Sequence, residues 1–502
     1  MRVEPGLGWG EAKLGSTMRE LVRAFGQPSK TNDFDDYAYP CWESQGLEVS
    51  IAKATKKVEV VTLYGRDPEQ ATFSPARLDG SDLEFGMSEA QLLEVLGPPT
   101  AVFRDPGGTW SRLTFAGLNL RLVRDALVSI GIEHPGQGNE EVKITNPELE
   151  AAIAAAPDDG AGYLVFGDWL LQQGHPRGAL VAAQAAGESI DRRTDDEVLG
   201  PVLSPLADML TERSWRLGFL EKVRVASNFD RSPLHDGARE HVPVSEVLSL
   251  LLSSLAGRFL RDLTIGITDF EDNDYVGEMG VLAAMTRPLL RSLYLGDFSR
   301  DETELNWSRL GHAGALWAAL PQLREVTLRA GSMELGELVL PELRSFTTLT
   351  GGLRKAELES IARAQWPKLE RLSVQIGSRR YGSDVSADDF GPLLERVPPT
   401  VRHLGLTNTE HSDALVPILA GAKLLPQLKE LDLSLGTLGE EGAAALLANQ
   451  TRFAHLEKLD LSESWLTPEW VGRLRDAFPH AVLDEQRYDE RYPDDRYIAA
   501  GE

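Results

Sequence analysis

The chain has 502 residues, of which 42% are hydrophobic and 25% are charged. This length exceeds that of one compact core, so we expect several domains or a repeat array, and the composition excludes global disorder. The formal net charge of −26 opposes binding to phosphate backbones or anionic lipid, because both require a cationic face. We therefore expect neither a nucleic-acid partner nor a membrane partner.

Cysteine content and the N-terminal residues bear on the cellular compartment. Cys41 is the single cysteine, which rules out a disulfide within the chain and argues against a cysteine-based zinc site. The first residues lack the basic head and apolar stretch of a signal peptide, and no segment has about 18 uninterrupted apolar residues. These features predict a cytoplasmic protein.

The first 140 residues align with themselves at a shift of about 70 residues. Leu14-Gly15-Ser16-Thr17 matches Phe85-Gly86-Met87-Ser88, and Gly26 and Pro28 match Gly97 and Pro99. Each copy predicts a helix capped by Thr17 or Ser88, stopped by glycine and followed by short alternating strands. We expect two helix-plus-antiparallel-sheet modules at residues 1–70 and 71–140.

This duplicated pattern resembles the tandem helix-plus-sheet fold of β-lactamase-inhibitor proteins and of small outer-membrane assembly lipoproteins. The chain lacks the lipobox that those lipoproteins carry. Members of this fold bind proteins and are not enzymes, so the resemblance implies a binding role for residues 1–137.

Residues 141–216 predict a helical module. Asn146 can cap its first helix with Pro147 at the first position, and Asp158 or Asp159 can cap the second. Asp168-Trp169-Leu170 followed by Gly174-His175-Pro176-Arg177-Gly178 resembles the repeat-companion domain found beside leucine-rich repeats in some bacteria, which has no established activity. We expect Asp168 and Arg177 to pair and fix two helices; a binding role for Trp169 or Arg177 is the alternative.

A Leu-x-x-Leu-x-Leu pattern recurs from about residue 217. Its nine occurrences begin at Leu220, Leu260, Leu290, Leu323, Leu343, Leu369, Val401, Leu428 and Leu456. The last four begin 32, 27 and 28 residues apart, which suits a strand alternating with a full helix, whereas the first step of 40 residues and one of 20 predict a distorted early half. The Phe346-Thr347-Thr348 stretch weakens the fifth predicted strand.

These repeats resemble ribonuclease-inhibitor-like leucine-rich repeats, closely from Val401 onward and loosely before it. The resemblance implies a multidomain α/β and α+β chain in which residues 217–485 form an α/β solenoid with a curved parallel sheet. For residues 486–502 we expect an acidic cap in which Tyr488, Tyr492 and Tyr497 close the last repeat; a disordered tail is the alternative.

Strand alternation places the polar residues between the apolar positions on the concave face. The first predicted column contains Asp262, Ser292, Glu325, Ser345, Arg371, His403, Glu430 and Lys458. The second contains Thr264, Tyr294, Thr327, Thr347, Ser373, Gly405, Asp432 and Asp460. The third contains Arg329, Gln375, Thr407, Ser434 and Ser462. As protein-binding residues we predict Tyr294, Glu325, Arg329, Arg371, Ser373, Gln375, His403, Glu430, Asp432, Lys458 and Asp460.

The sequence lacks the motifs of common catalytic and cofactor sites, including a phosphate-binding loop, a nucleophile elbow and a His-Glu-x-x-His pair. We interpret Cys41 as a small buried hydrophobe, with a nucleophile as the alternative. His235 and His241, with Asp236 and Glu240, could bind a metal, but a long insertion between repeats explains them more simply. We expect no catalytic residue, cofactor or metal.

These observations favour a non-catalytic scaffold, adaptor or regulator in a bacterial cytoplasm that is a monomer on its own and binds another protein. Charge reversal at Arg371, Glu430 and Asp432 should weaken that binding. Alternatives are a substrate or sensor controlled by a neighbouring enzyme such as a protease, a structural part of an assembly, or a repeat-containing effector enzyme. The last of these, if a ubiquitin ligase, would need a catalytic cysteine, and the chain has only Cys41.

Overall fold

The computed structural model of the chain describes residues 3–4, 8–9, 11–33, 37–53, 56–65, 83–96, 101–104, 110–115, 118–124, 126–133, 144–190, 195–231, 242–284, 286–491 and 495–500. The fold is mixed α/β, with an antiparallel sheet and a large, mostly parallel sheet, as predicted. The chain divides into two compact units. The first comprises Met1–Pro147, Arg193–Pro205 and Ser253–Leu255, and the second comprises Glu148–Arg192, Leu206–Leu252 and Ala256–Glu502.

The first unit contains the antiparallel sheet. The strands of this unit are β1 (Val3–Glu4), β2 (Gly8–Trp9), β3 (Ala12–Lys13), β4 (Lys30–Asp33), β5 (Tyr37–Trp42), β6 (Leu47–Ala52), β7 (Lys57–Tyr64), β8 (Ala101–Arg104), β9 (Trp110–Phe115), β10 (Leu118–Val123) and β11 (Ala126–Glu133). Its helices span Met18–Phe25, Glu89–Leu96 and Asp195–Val198. Eight strands follow the order β4-β5-β6-β7-β11-β10-β9-β8, so two four-stranded meanders meet at β7 and β11. One helix precedes each meander in the described residues, Met18–Phe25 before β4–β7 and Glu89–Leu96 before β8–β11.

Matching hydrogen bonds form at the starts of helices Met18–Phe25 and Glu89–Leu96. The Thr17 amide donates to the Glu20 carboxylate at 2.7 Å, and the Ser88 amide donates to the Gln91 side chain at 2.9 Å. Both arrangements occupy amide groups at a helix start, which have no partner within the helix. Leu21 and Leu92, one from each helix, are fully buried in a shared core with residues of both meanders. The predicted Gly97 and Pro99 stop lies outside the described residues.

The second unit contains the mostly parallel sheet. Its strands are β12 (Leu210–Arg216), β13 (Phe219–Val225), β14 (Asp262–Gly266), β15 (Ser292–Asp297), β16 (Arg309–His312), β17 (Glu325–Arg329), β18 (Ser332–Glu334), β19 (Ser345–Leu349), β20 (Arg371–Gly377), β21 (His403–Thr409), β22 (Glu430–Asp432), β23 (Lys458–Asp460) and β24 (Ala481–Val482). Its α-helices span Pro147–Ala155, Gly160–Gln172, Arg177–Ala185, Val244–Ser253, Val276–Ala283, Gly314–Ala319, Lys355–Ala362, Gly391–Arg396, Ser412–Gly421, Glu440–Ala448, Gln450–Phe453 and Pro468–Ala477.

Eleven strands of this unit form one sheet in the order β12-β13-β14-β15-β17-β19-β20-β21-β22-β23-β24. Only β12 is antiparallel to its neighbour; every later strand pairs in parallel with the next. The nine predicted motif strands correspond to β13, β14, β15, β17, β19, β20, β21, β22 and β23. β19 pairs continuously with β17 and β20 despite Thr348, whose side chain is fully buried. Sequence reasoning missed β12 and β24, the two edge strands.

The three helices of residues 147–185, here called the helical segment, pack through aromatic rings. Phe166 and Tyr163, from helix Gly160–Gln172, surround Phe219 and Phe259, and the centroids of the last two rings are 4.7 Å apart. Gly178 lets two helices approach closely, because a Cβ atom there would lie 2.6 Å from the Gly167 carbonyl oxygen. The Gly174-to-Gly178 signature thus has a packing function.

Charged residues in this segment have partners that the sequence did not predict. The Arg177 guanidinium donates to the Gly218 carbonyl oxygen at 2.6 Å and lies over the Trp215 ring, whereas Asp168 is exposed. Asp159 is the helix cap, since it accepts from the Ala161 amide. Asp158 instead bonds Arg261 and Arg291, which hold the pKa of its carboxyl at about 2.

Glu278 makes the stability of the second unit dependent on pH. Its side chain is 4% exposed, and burial raises its pKa from an ordinary 4.5 to about 8. The folded carboxyl is therefore protonated at pH values where the unfolded one is ionised, so stability falls as pH rises from about 4.5 through 8. Glu278→Gln should raise the free energy of unfolding at pH 9 by about 1–3 kcal/mol and leave that at pH 4 nearly unchanged. Urea titrations at both pH values test this, with exposed Glu395→Gln as the control; equal effects at both pH values would contradict it.

Candidate functional site

The parallel register aligns the predicted polar residues across the sheet. Backbone pairing runs from Asp262 through Ser292, Glu325, Ser345, Arg371, His403 and Glu430 to Lys458. It also runs from Thr264 through Tyr294, Thr327, Thr347, Ser373, Gly405 and Asp432 to Asp460. The first two predicted columns therefore exist, and the apolar positions between them are buried.

The columns are not uniformly exposed. Glu325, Arg371 and Lys458 are exposed, and Tyr294, Arg329, Ser373, His403, Glu430 and Asp432 are half-buried. The prediction was wrong for Gln375 and Asp460, which are 4% and 9% exposed. The Gln375 amide donates to the Thr350 carbonyl oxygen at 3.0 Å, and the Asp460 carboxylate accepts from the Ser462 hydroxyl at 2.6 Å.

Both corrections have the same physical reason. Side chains near the carboxyl ends of the strands bond to the turns that follow, so they order the backbone and are not available to a partner. Thr407 and Ser434 of the third predicted column are buried as well. The exposed predicted residues, Glu325, Arg371 and Lys458, each begin a strand, so the most accessible polar surface is at the amino ends.

A second row of charged residues at these amino ends was missed by the sequence reasoning. Each of its members precedes a strand, and each member after the first bonds through its backbone amide to the carbonyl oxygen of the member before it. The row contains Arg261, Arg291, Arg324, Arg344, Glu370, Arg402, Lys429 and Glu457. Their common signal is the second position of the Leu-x-x-Leu-x-Leu pattern, where six of these eight residues are Arg or Lys.

The amino-end row and the first column together line a groove of about 740 Å³. Its lining residues are Glu325, Arg344, Ser345, Glu370, Arg371, Thr400, Arg402, His403, Lys429 and Glu430. Four cations and three carboxylates alternate here, in a chain whose formal net charge is −26. We call this feature the charged groove.

Glu430 lies at the centre of a polar cluster in the charged groove. Its Oε2 atom is 2.9 Å from His403 Nδ1 and 3.5 Å from an Arg371 guanidinium nitrogen. The hydrogen bond from His403 and the charge of Arg371 hold the pKa of Glu430 below its ordinary value. Burial lowers the pKa of His403, although the hydrogen bond to Glu430 opposes that shift. Because a carboxylate only accepts, His403 Nδ1 is the donor in this bond.

The charged groove contains residues of opposite charge that have no ion-pair partner among the described residues. The Arg402 guanidinium donates only to backbone, at 2.7 Å from Pro399 and 3.0 Å from Val401, among the bonds that the structure describes. Glu325 forms no ion pair with another described residue. Arg344 and Lys429, by contrast, pair with Glu370 at 2.5 Å and Glu457 at 2.7 Å. A ligand can therefore reach a carboxylate and a cation that no described residue neutralises, separated by three strand spacings of about 4.8 Å each.

The C-terminal segment differs from the predicted cap. Tyr497 packs on Trp465, with ring centroids 4.9 Å apart, and the Asn408 side chain bonds both the amide and the carbonyl of Ala500. Asn408 lies near the end of β21 and Trp465 follows β23, so the segment covers the carboxyl ends of these late strands, whereas the edge of the sheet is β24. Tyr488 is half-buried, and Tyr492 lies outside the described residues.

Cys41 is fully buried, which confirms its interpretation as a core residue. Its sulfur lies 3.2 Å from a Glu48 carboxylate oxygen, and burial together with that hydrogen bond raises the pKa of the thiol to about 12. Because the thiolate is the reactive form, native Cys41 should react with a thiol reagent at least ~100-fold more slowly than the urea-unfolded chain at pH 8. A Cys41→Ser variant gives the background signal, and equal native and unfolded rates would refute the assignment.

The other predicted sites yield little. His235 and His241 lie outside the described residues. Within the described part of the chain, no group of three His, Cys, Asp or Glu side chains is arranged to hold a metal. No helix in that part has the length and apolar character needed to cross a bilayer.

Comparisons with known proteins leave the family open. No protein-family model matches the chain, and no curated protein matches it. A protein from Bacteroides fragilis, solved by the Northeast Structural Genomics Consortium, is similar with 20% identity and a TM-score of 0.49, over 78% of this chain and 95% of that chain. A cysteine-rich secretory protein from Staphylococcus aureus gives 12% identity and a TM-score of 0.19, over 31% of this chain and 61% of that chain. With both TM-scores below 0.5, neither similarity supports an argument about function.

Proposed function

We propose that this chain is a non-catalytic, protein-binding scaffold or adaptor of a bacterial cytoplasm and that the charged groove holds its partner. We further propose that the sheet of the second unit is a leucine-rich-repeat solenoid of the ribonuclease-inhibitor-like type, with the groove on its concave face. The observation that carries the proposal is the alignment of two charged rows along the amino ends of successive parallel strands. Repeat arrays commonly bind partners on such extended faces.

The chemistry of the groove favours a protein partner over other ligands. Its lining is polar and carries both signs of charge, which suits the mixed charges and amide groups of a polypeptide. Glu325, Glu370 and Glu430 interleave with the cations and would repel a continuous phosphate backbone. An extended segment that crosses the strands could place a basic side chain at Glu325 and an acidic one at Arg402.

A charge exchange tests this proposal without changing the net charge. Arg371→Glu combined with Glu430→Arg reverses the centre of the groove while keeping one residue of each sign there. Asp432 is left unchanged, because its carboxylate accepts from the Ser434 amide at 3.0 Å and orders a turn. The matched control exchanges two exposed residues of helix Gly391–Arg396, with Glu395→Arg and Arg396→Glu.

The tagged variants are recovered from the cells that naturally produce the protein, and bound proteins are quantified by mass spectrometry. We expect the groove exchange to reduce recovery of a specific partner by at least ~10-fold, because one close charge pair across an interface contributes about 1.5 kcal/mol or more. The control exchange should retain the partner. Equal recovery with both variants, each folded by circular dichroism, would contradict the proposal.

A further inference from the structure

The first unit contains an apolar groove beside the start of helix Met18–Phe25. It has a volume of about 550 Å³, and its exposed surface is almost entirely carbon. Its lining residues are Thr17, Met18, Arg19, Thr31, Ala38, Pro40, Ile51, Lys53 and Lys56. A cavity of this size lies within the range of about 300–1,000 Å³ typical of ligand sites.

The groove exists because the helix is shorter than the strands that it covers. Backbone register places Ala38 opposite Ile51, and strand alternation puts Pro40 and Lys53 on the same face. Farther along that face, Val49 and Leu47 are fully buried in the core with Leu21 of the helix. Eight residues of helix span only about 12 Å, so the apolar face continues past the helix start at Met18.

The rim of this groove is basic in a strongly acidic chain. Its three charged lining residues, Arg19, Lys53 and Lys56, are all exposed cations, and no carboxylate of the described residues lines the groove. Lys53 pairs with Asp33 at 2.8 Å, whereas Arg19 and Lys56 form no ion pair with another described residue. Two cations that pair with no described carboxylate thus flank an apolar floor.

A strand edge with no partner strand among the described residues adjoins the groove. β4 is an edge strand of the eight-stranded sheet, all four of its residues are exposed, and one of them, Thr31, lines the groove. An edge strand offers backbone donors and acceptors to an extended peptide, while an adjacent pocket can select a side chain. The position of the groove therefore suits a polypeptide ligand.

We propose that this groove docks an acidic segment of another protein, with a bulky apolar side chain on the floor and carboxylates paired with Arg19 and Lys56. Charge complementarity defines the occupant, because an apolar segment without carboxylates would leave both cations unsatisfied at a closed interface. The inference is independent of the charged groove, since it uses only residues of the first unit.

The probe is a fluorescein-labelled peptide, acetyl-Glu-Asp-Leu-Phe-Asp-Glu-amide, titrated with the full chain and followed by fluorescence anisotropy. Two matched peptides replace either the four carboxylates by their amides or the Leu-Phe pair by Ala-Ala. We expect saturable binding of the first peptide and at least ~10-fold weaker binding of both others. Its affinity should also fall as salt concentration rises.

Arg19→Glu combined with Lys56→Glu should weaken binding of the acidic peptide by at least ~10-fold. The matched control, Arg23→Glu with Arg124→Glu, changes two exposed cations of the same unit that do not line the groove, and should bind like the wild type. Protection of Cys41 from a thiol reagent checks that the unit remains folded in each variant.

Several outcomes would overturn the proposal. They are no binding at 1 mM chain, equal binding of the acidic and amide peptides, or equal losses in the two charge variants. Binding of decanoate, but not of the peptide, that depends on Arg19 and Lys56 would instead assign the groove to a free amphiphile. Concentration-dependent dimerisation abolished by the same substitutions would assign it to a second copy of the chain.

Discussion

Replacing Phe219 by alanine should lower the free energy of unfolding of the second unit by about 3–5 kcal/mol. Phe219 is 1% exposed and lies in β13, the first strand of the parallel array. Its ring packs edge-on against Phe259 and also contacts Phe166 of the helical segment. Truncation removes this buried area, leaves a cavity between elements that cannot close around it, and breaks favourable ring contacts.

Hydrogen exchange measured by mass spectrometry, with a urea titration, checks this effect. We expect faster exchange in helix Gly160–Gln172 together with β13, because both rest on the same ring cluster. The control is Leu171→Ala, which truncates a side chain of that helix that is 45% exposed and should change stability by less than about 0.5 kcal/mol. A loss below about 1 kcal/mol for Phe219→Ala would mean that the cluster does not hold these elements together.

Replacing Trp465 by alanine should release the C-terminal segment. Trp465 is 4% exposed, its indole N–H donates to the Tyr497 carbonyl oxygen at 2.9 Å, and the Arg487 guanidinium lies 5.3 Å from its ring centroid. Loss of the ring removes all these contacts, with a cost of about 3–5 kcal/mol typical of a buried tryptophan. The bonds of Arg496 to Asp413, Glu441 and the Thr437 carbonyl oxygen do not involve this ring and remain.

Limited trypsin digestion measures that release. Cleavage after Arg491 or Arg496 should become at least ~10-fold faster in Trp465→Ala, because protease access follows local opening. Trp470→Ala removes a half-buried tryptophan of the neighbouring helix and serves as the control. Unchanged cleavage in Trp465→Ala would show that the segment is held by other contacts.

The fold was predictable where a periodic signal is repeated many times. The Leu-x-x-Leu-x-Leu pattern located nine parallel strands and their register, because a parallel sheet buries the same positions of each strand. The edge strands were missed for a physical reason. β24 has only a degenerate motif of Phe478, Ala481 and Leu483. An edge strand pairs with one neighbouring strand instead of two, so fewer of its positions have to be apolar.

The site was predictable only in part. Alternation correctly aligned Glu325, Arg371, His403 and Glu430, because it depends on strand geometry alone. It could not show that Gln375 is buried, because that depends on the Thr350 carbonyl oxygen, which follows the neighbouring strand β19. The row containing Arg344 and Arg402 was visible as a recurrent basic second position, but its meaning required the backbone ladder that brings these residues together.

Site-specific photocrosslinking tests most directly whether the charged groove holds a partner. A p-benzoylphenylalanine residue is placed at Ser345, which lines the groove, or at Glu395, which is exposed on helix Gly391–Arg396. After irradiation in the cells that naturally produce the protein, position 345 should yield a specific crosslinked partner. The yield of that crosslink should fall at least ~10-fold with the Arg371→Glu and Glu430→Arg exchange. Position 395 should not crosslink this partner. Crosslinking of the same protein at both positions, or a yield at position 345 that the exchange leaves unchanged, would contradict binding in the charged groove.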